Sequence, residues 1–187
     1  MTLERWDETA QVSFDRATWA ELTSLRFLDA AADVVIMGPV GVGKTHLASA
    51  LGHIACRRRR TVLMGRTDRV LKRLRAARLD ASYDLELRRL LRVDLLILDD
   101  FALAALDATE TADIYELVVE RHRRASTIVT SNREPAEWLA AMADPLLAQS
   151  AIDRLTSAAY ELVVEGESYR RRLKPGRSVQ AGLQAAD

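Results

Sequence analysis

Apolar residues along this chain follow two rhythms. Short unbroken runs, Val34-Val35-Ile36-Met37 and Leu95-Leu96-Ile97-Leu98, have the length and aliphatic content of strands buried on both faces. Ser126-Thr127-Ile128-Val129-Thr130-Ser131-Asn132 reads as a third core strand ending in polar residues, and 61–64 and 160–164 read as two further strands. Between them, apolar positions return every three or four residues, the period of a helix with one buried face. Trp19, Leu22, Leu25 and Leu28 predict one helix from Asp15 to about Asp29, and 45–55 predict a second. Two more follow at 68–77 and 81–91, with Val70, Leu71 and Leu74 apolar and Lys72, Arg73, Arg75 and Arg78 exposed. Asp107-Ala108-Thr109-Glu110 has the form of a capping box ahead of a helix faced by Ile114, Leu117 and Val118. Pro135 opens a helix containing Trp138, Leu139 and Met142, and Pro145 opens another through Leu146, Leu147, Ile152 and Leu155. The pattern predicts an α/β domain.

Composition narrows the class. A chain of 187 residues, 49% apolar and 29% charged, suits one globular domain and leaves little room for a second. No apolar run is long enough to cross a membrane, and the N-terminus lacks the shape of a signal peptide. One cysteine, Cys56, excludes an internal disulfide framework and fits the cytoplasm; late in its helix, it reads as a small packing residue. His46 and His53 share a helix face at i,i+7, the spacing of packing residues, and with His122 and Cys56 they make no metal site.

Chemistry concentrates at Gly38-Pro39-Val40-Gly41-Val42-Gly43-Lys44-Thr45, which matches the phosphate-binding loop at every fixed position, between a predicted strand and a predicted helix. Its glycines let the backbone curl so that successive N–H groups face phosphate oxygens, and the helix N-terminus adds attraction for anions. Lys44 is placed to reach the β- and γ-phosphates, the Thr45 hydroxyl to hold Mg²⁺, and His46 to continue the nucleotide-contacting stretch. The strand ending in Asp99-Asp100 supplies two carboxylates at the edge where open α/β sheets bind ligands. Asp99 would share the Mg²⁺ shell with Thr45, and Asp100 would orient or deprotonate the attacking water. Asn132 comes near the γ-phosphate if its strand lies between the other two. Arg154 is either a surface ion-pair residue or a group offered to a neighbouring subunit's γ-phosphate.

Charge changes the picture once more. Net charge is zero, yet residues 57–92 hold thirteen Arg or Lys against four acids, and 93–120 hold eight acids with no Lys or Arg. Such segregation suggests a polyanion partner for the basic part. Arg57-Arg58-Arg59-Arg60 can equally complement the end of a helix dipole.

With these residues in hand, the chain resembles the IstB-like ATPases, helpers of insertion-sequence transposases and relatives of the DnaC helicase loaders and DnaA initiators within the AAA+ class. The resemblance runs from about Leu3 to Lys174. It rests on the phosphate loop, Leu-Leu-Ile-Leu-Asp-Asp-Phe, Thr-Ser-Asn-Arg at 130–133, Asp-Pro at 144–145, Ile-Asp-Arg-Leu at 152–155 and Gly-Glu-Ser-Tyr-Arg at 166–170. It implies a P-loop NTPase fold of AAA+ type, a three-layer sandwich around a parallel sheet with the phosphate-loop strand central. An arm and helix (1–32) would precede the ATPase domain (33–174), with a flexible tail (175–187) after it. It implies ATP with Mg²⁺, assembly of a homo-oligomer on DNA when ATP is bound, an ATP-sensing Asn132, an in-trans finger at Arg154 and a second sensor at Arg170. The basic helices fall where initiator-type members carry a DNA-contacting insertion. Many relatives carry Glu where this chain has Asp100, one methylene shorter, which predicts slower hydrolysis. Members usually complete a small helical domain before the point where this chain starts, so a shortened copy is expected.

The expected function is a DNA-dependent ATPase that helps a transposase choose or activate its target on duplex DNA. A helicase loader shares the same core. An ATP-switched DNA-binding adaptor with little turnover is a third reading, motivated by Asp100. A small-molecule kinase fits less well, because Asn132 and Arg154 suit water attack and subunit cooperation.

Overall fold

The computed structural model describes residues 12–169. Most of the predicted arm, Arg170 and the predicted tail lie outside the described residues. In chain order the elements are β1 (Val12–Ser13), α1 (Arg16–Ser24), α2 (Arg26–Asp29), β2 (Val34–Met37) and α3 (Lys44–Arg57). There follow β3 (Val62–Arg66), α4 (Thr67–Leu79), α5 (Tyr83–Arg92), β4 (Leu95–Asp99), α6 (Ala108–Arg121) and β5 (Ser126–Ser131). The chain continues with α7 (Pro135–Trp138), one 3₁₀ turn (Leu139–Ala141), α8 (Pro145–Thr156), β6 (Tyr160–Val163) and β7 (Glu165–Gly166).

Five strands form one sheet in the order β3-β4-β5-β2-β6, and every pairing within it is parallel. Parallel neighbours require helical crossovers, and these cover both faces. The strand period of two divides the apolar runs between the faces. Val35, Met37, Leu96, Leu98 and Val129 pack with Leu71, Leu74, Leu87, Ile114, Leu117 and Leu155 of the α4, α5, α6 and α8 layer. Val34, Ile36, Leu95, Ile97, Ile128 and Leu162 pack with Leu22, Phe27, Leu47 and Leu51 of the α1, α2 and α3 layer. This is the expected three-layer sandwich. The phosphate-loop strand β2 is interior but not central: β5 holds the middle, and β2 lies between β5 and β6.

Several local expectations are corrected. The first helix breaks at Leu25, which takes a left-handed φ of 65° and ends α1 with its N–H on Leu22 O at 3.1 Å. The break lets both Leu25 and Phe27 bury in the same cluster. The helix at Pro135 stops at Trp138, and Met142 is buried outside it. Cys56 is exposed, not a packing residue, and so is His53, while His46 is half-buried. Asp107 and Glu110 do form the capping box of α6.

At the end of the sheet away from the phosphate loop, two charged groups are buried. Arg121 donates to the carbonyls of Leu90 (2.8 Å) and Val93 (3.0 Å) around the end of α5, and to Ser126 O (2.6 Å) and Thr127 Oγ1 (3.1 Å) at the start of β5. Burial lowers its pKa to about 10. Asp33 accepts from Thr127 N at 2.7 Å, and burial raises its pKa to about 7.

Candidate nucleotide-binding site

The site is built where β2, β4 and β5 end side by side. β2 runs into the loop 38–43, and α3 begins at Lys44 with Gly43 as its N-cap. Two glycines are required by close approach. A Cβ on Gly38 (φ 145°) would lie 1.9 Å from Val164 O, and one on Gly41 (φ 87°) would lie 2.1 Å from Ser168 Oγ. The chain after β6 therefore lies directly against the loop, tied by Val164 N to Met37 O at 2.7 Å and by Tyr169 N to Gly41 O at 2.9 Å. Val42 is buried beneath the loop and Val40 is exposed on it.

Lys44 turns its ammonium inward across this loop. Nζ donates to Gly38 O (2.7 Å), Pro39 O (2.7 Å) and Asn132 Oδ1 (2.6 Å). Because β5 lies between β4 and β2, Asn132 arrives beside the phosphate loop, meeting the condition set by the sequence. Thr45 Oγ1 donates to Asp99 Oδ1 at 2.8 Å, and Thr130 Oγ1 donates to the same oxygen at 2.6 Å. Asp99 is 6% exposed. Thr67 Oγ1 holds the Asp99 carbonyl at 3.0 Å, and Asp100 N donates to Thr130 Oγ1 at 3.1 Å. A buried carboxylate held by two hydroxyls, one from α3 and one from β5, is fixed in direction, as a metal ligand's support must be.

The donor set fits one small divalent cation. Thr45 and Asp99 offer adjacent hard oxygens, and Mg²⁺ takes only one or two protein ligands when phosphate and water supply the rest. Among the described residues no group of three or more His, Cys, Asp or Glu is arranged to hold a metal, so an all-protein cage is not what this site offers.

A sequence model of the family described as IstB-like ATP binding protein matches residues 1–176. The chain belongs to that family. Among its IstB-like relatives, an insertion-sequence ATP-binding protein of Mycobacterium tuberculosis is 39% identical over 178 residues, covering 95% of this chain and 71% of the relative. The insertion sequence IS21 ATP-binding protein of Pseudomonas aeruginosa is 36% identical over 173 residues, 92% of this chain and 65% of the relative. Among solved structures, DnaI matches with a TM-score of 0.71 at 19% identity over 89% of each chain. The DnaC helicase loader matches at 0.64 and 22%, covering 78% of this chain and 88% of that one. The replication initiator DnaA bound to AMPPCP and single-stranded DNA matches at 0.68 and 20%, covering 97% of this chain and 58% of that one. At these identities the likeness is one of fold, that of P-loop AAA+ proteins.

Not every expected site residue joins the IstB-like cluster. Arg154 sits on α8, half-buried, and donates to Ser150 O at 2.8 Å one turn back. It lines a groove of about 530 Å³ with Pro135, Leu139, Leu146 and Ile152, and none of its hydrogen bonds among the described residues reaches Lys44, Thr45, Asp99 or Asn132. His46 follows Thr45 on α3. Arg170, the expected second sensor, lies outside the described residues. Sequence reasoning took Thr130 and Ser168 only as parts of motifs and missed Thr67 and Arg66. Thr130 had one legible signal, a hydroxyl two residues before Asn132 on the same strand end.

The basic segment does not stand alone in space. Arg60 pairs with Asp29 and Asp94, Arg66 with Asp68 and Asp100, and Arg73 with Glu86. Arg75 pairs with Asp107 and Glu110, and Arg78 with the buried Asp113 at 2.5 Å. The side-chain hydrogen bond to Asp113 raises the pKa of Arg78. The acidic segment is thus the main partner of the basic one. The one-sided patch expected on Lys72, Arg73, Arg75 and Arg78 is largely neutralised, Lys72 by Asp68 at 3.6 Å. No helix of the described residues is long and apolar enough to cross a membrane.

Proposed function

We propose that this chain is a Mg²⁺-dependent ATPase that associates with duplex DNA and assists a transposase in DNA transposition. The observation that carries the ATPase reading is the convergence of Lys44, Thr45, Asp99 and Asn132 on one sheet edge. Insertion-sequence relatives support the transposition reading.

Each residue has a stated task. Loop N–H groups and the α3 N-terminus receive phosphate oxygens. Lys44 exchanges its carbonyl partners for β- and γ-phosphate oxygens, and Asn132, now beside it, contacts the γ-phosphate. Thr45 and Asp99 hold Mg²⁺, which neutralises charge on the phosphates when bound. Asp100 orients the water that attacks the γ-phosphorus as the bond to ADP breaks. Arg154, which makes no hydrogen bond to Lys44, Thr45, Asp99 or Asn132 among the described residues, serves the site of a neighbouring copy in an ATP-bound homo-oligomer. Arg170 is retained as a second sensor.

The deciding experiment is steady-state ATP hydrolysis by the whole chain with and without duplex DNA, with Lys44→Ala as the blank. Turnover above the blank that rises with DNA is expected. Equal rates in wild type and blank would reject the ATPase reading. Arg154→Ala should retain nucleotide binding but lose hydrolysis by roughly 10³-fold or more; unchanged hydrolysis would reject the in-trans role. A second reading, an ATP-switched adaptor with little turnover, is favoured by one contact: Arg66 beside the Asp100 carboxylate.

A further inference from the structure

Four arginines without a carboxylate partner gather at the end of the sheet opposite the phosphate loop. β3, β4 and β5 are parallel neighbours, so their first residues lie side by side. The segments leading into them deliver Arg58 and Arg59 ahead of β3, Arg92 ahead of β4 and Arg123 ahead of β5. All four are exposed, and among the described residues none makes an ion pair. The carboxylates at this edge are already engaged. Arg60 pairs with Asp29 and Asp94, Arg124 pairs with Glu120 at 2.9 Å, and Asp33 is buried on Thr127 N. The edge therefore carries an excess of positive charge that the fold does not neutralise.

Arginines after a helix often serve its last carbonyls. Here the backbone does that work. Arg58 N bonds to Ile54 O and Ala55 O at 3.1 and 3.0 Å, and Arg59 N to Cys56 O at 2.9 Å. At the end of α6, Arg124 N and Ala125 N bond to Arg121 O at 2.9 and 3.0 Å. Arg59 (φ 61°) and Arg123 (φ 58°) moreover occupy the left-handed position just past α3 and α6, where helices most often end in glycine. Local preference thus gives no reason for arginine at either place. The edge is also braced. Thr61 N donates to Asp94 Oδ2 at 2.7 Å and Asp94 N to Thr61 Oγ1 at 2.9 Å, tying the start of β3 to that of β4. Arg121 beneath donates to Val93 O (3.0 Å) and Ser126 O (2.6 Å), tying β4 to β5. Adjacent strands lie about 4.8 Å apart, so the three segments span roughly 10 Å. That is comparable with the grooves of B-DNA, about 6 and 12 Å wide, whose phosphate walls accept bidentate guanidinium contacts.

Resting on the duplex-DNA part of the proposed function, we propose that Arg58, Arg59, Arg92 and Arg123 form a phosphate-contacting surface for duplex DNA at the end of the sheet away from the nucleotide. The contacts go to the DNA backbone and position the duplex without reading its sequence. The buried Arg121 beneath them is the support that holds the surface in one shape, which lowers the ordering cost of binding.

The test measures duplex affinity of the whole ATP-bound chain against salt. Wild type is compared with Arg58→Ala/Arg92→Ala/Arg123→Ala, with the same three positions changed to Lys, and with Lys72→Ala/Arg75→Ala on α4. The alanine edge variant should weaken binding roughly a hundredfold at about 100 mM salt and make the slope of log K against log salt shallower by about 3. Its ATP affinity and melting temperature should match wild type. The lysine variant, which keeps the charges, should hold the wild-type slope to within about 1, a rescue that damage to the fold would not show. Lys72→Ala/Arg75→Ala removes cations already paired with carboxylates and should also keep the slope within about 1. Cys56, exposed and the single cysteine of the chain, precedes Arg57. Labelled there with benzophenone-maleimide, the chain should photo-cross-link to bound duplex. A wild-type slope in the alanine edge variant overturns the inference. So does a larger loss from the α4 variant, or a Cys56 label that neither cross-links to the duplex nor weakens its binding. Wild type that binds no duplex defeats the DNA reading and this inference together; wild type that binds, with the alanine edge variant its equal, defeats this inference alone.

Discussion

Asp33 is a residue whose chemistry departs far from its ordinary state. Its carboxylate is 9% exposed, and desolvation outweighs the Thr127 N–H and the nearby Arg121, holding its pKa at about 7 against an ordinary value of 3.8. Between pH 3.8 and about 7 the folded chain binds a proton at Asp33 that the unfolded chain has lost, so this group's contribution to stability falls as pH rises through that window. Asp33→Asn retains an oxygen for the Thr127 N–H without the charge. It should be more stable than wild type at pH 8 by roughly 1–3 kcal/mol, an advantage that shrinks as the pH approaches 4. Denaturant melts from pH 4 to 8 check this; parallel curves for the two proteins would show that Asp33 is not the titrating group. Side chains in the candidate site fared differently as sequence. Lys44, Thr45, Asp99 and Asn132 were legible because each sits in a local pattern, a glycine loop or the polar end of an apolar run. Thr130, Thr67 and Arg66 act through partners 31, 32 and 34 positions away in the sequence, and no local pattern marks such partners.

Among elements, the strands were the most legible, because an unbroken aliphatic run buried on both faces has few alternatives. β2 and β4 fall on the predicted runs, with β4 extending to Asp99. Helix interruptions were not legible. Leu25 continues the apolar period of α1, yet it adopts a left-handed turn, because burying Leu25 and Phe27 together outweighs about 1–2 kcal/mol of local conformational preference. The start of β5 depends on a contact from another element. Arg121, 2% exposed at the end of α6, supplies donors to the carbonyls that close α5 and open β5. Arg121→Met fills similar space but leaves Leu90, Val93 and Ser126 without that donor. The expected loss is about 3–5 kcal/mol, read as a lower melting temperature. A change under about 1 kcal/mol would mean that these carbonyls find other donors.

For the whole molecule the question is how much of its basic charge is available to DNA. Thirteen Arg or Lys lie in residues 57–92, and full engagement would give a slope of log K against log salt of about −12 per protomer. The fold spends much of that charge internally: Arg60, Arg66, Lys72, Arg73, Arg75, Arg78 and Arg89 all have carboxylate partners. Among the described residues, the guanidinium groups of Arg58, Arg59, Arg69, Arg88 and Arg92 make no ion pair. Those five predict a slope of about −5. The segregation legible in the sequence was real, but its meaning was not, because pairs such as Arg75 with Glu110 and Arg78 with Asp113 close only when α4 packs beside α6. Titrating duplex affinity between 50 and 200 mM salt (conditions that bracket physiological screening) measures the available charge directly. A slope near −5 would mean that the internal pairs survive binding. A slope near −12 would mean that DNA strips them. Exposed pairs are worth only about 0–1 kcal/mol each, so the test is a fair one. Arg78 is the exception: its partner Asp113 is 1% exposed, and removing Arg78 would leave that carboxylate buried and uncompensated by its cation. Arg78→Ala should therefore lower stability and leave the salt slope unchanged, whereas Arg69→Ala should reduce the slope by about 1 and leave stability unchanged.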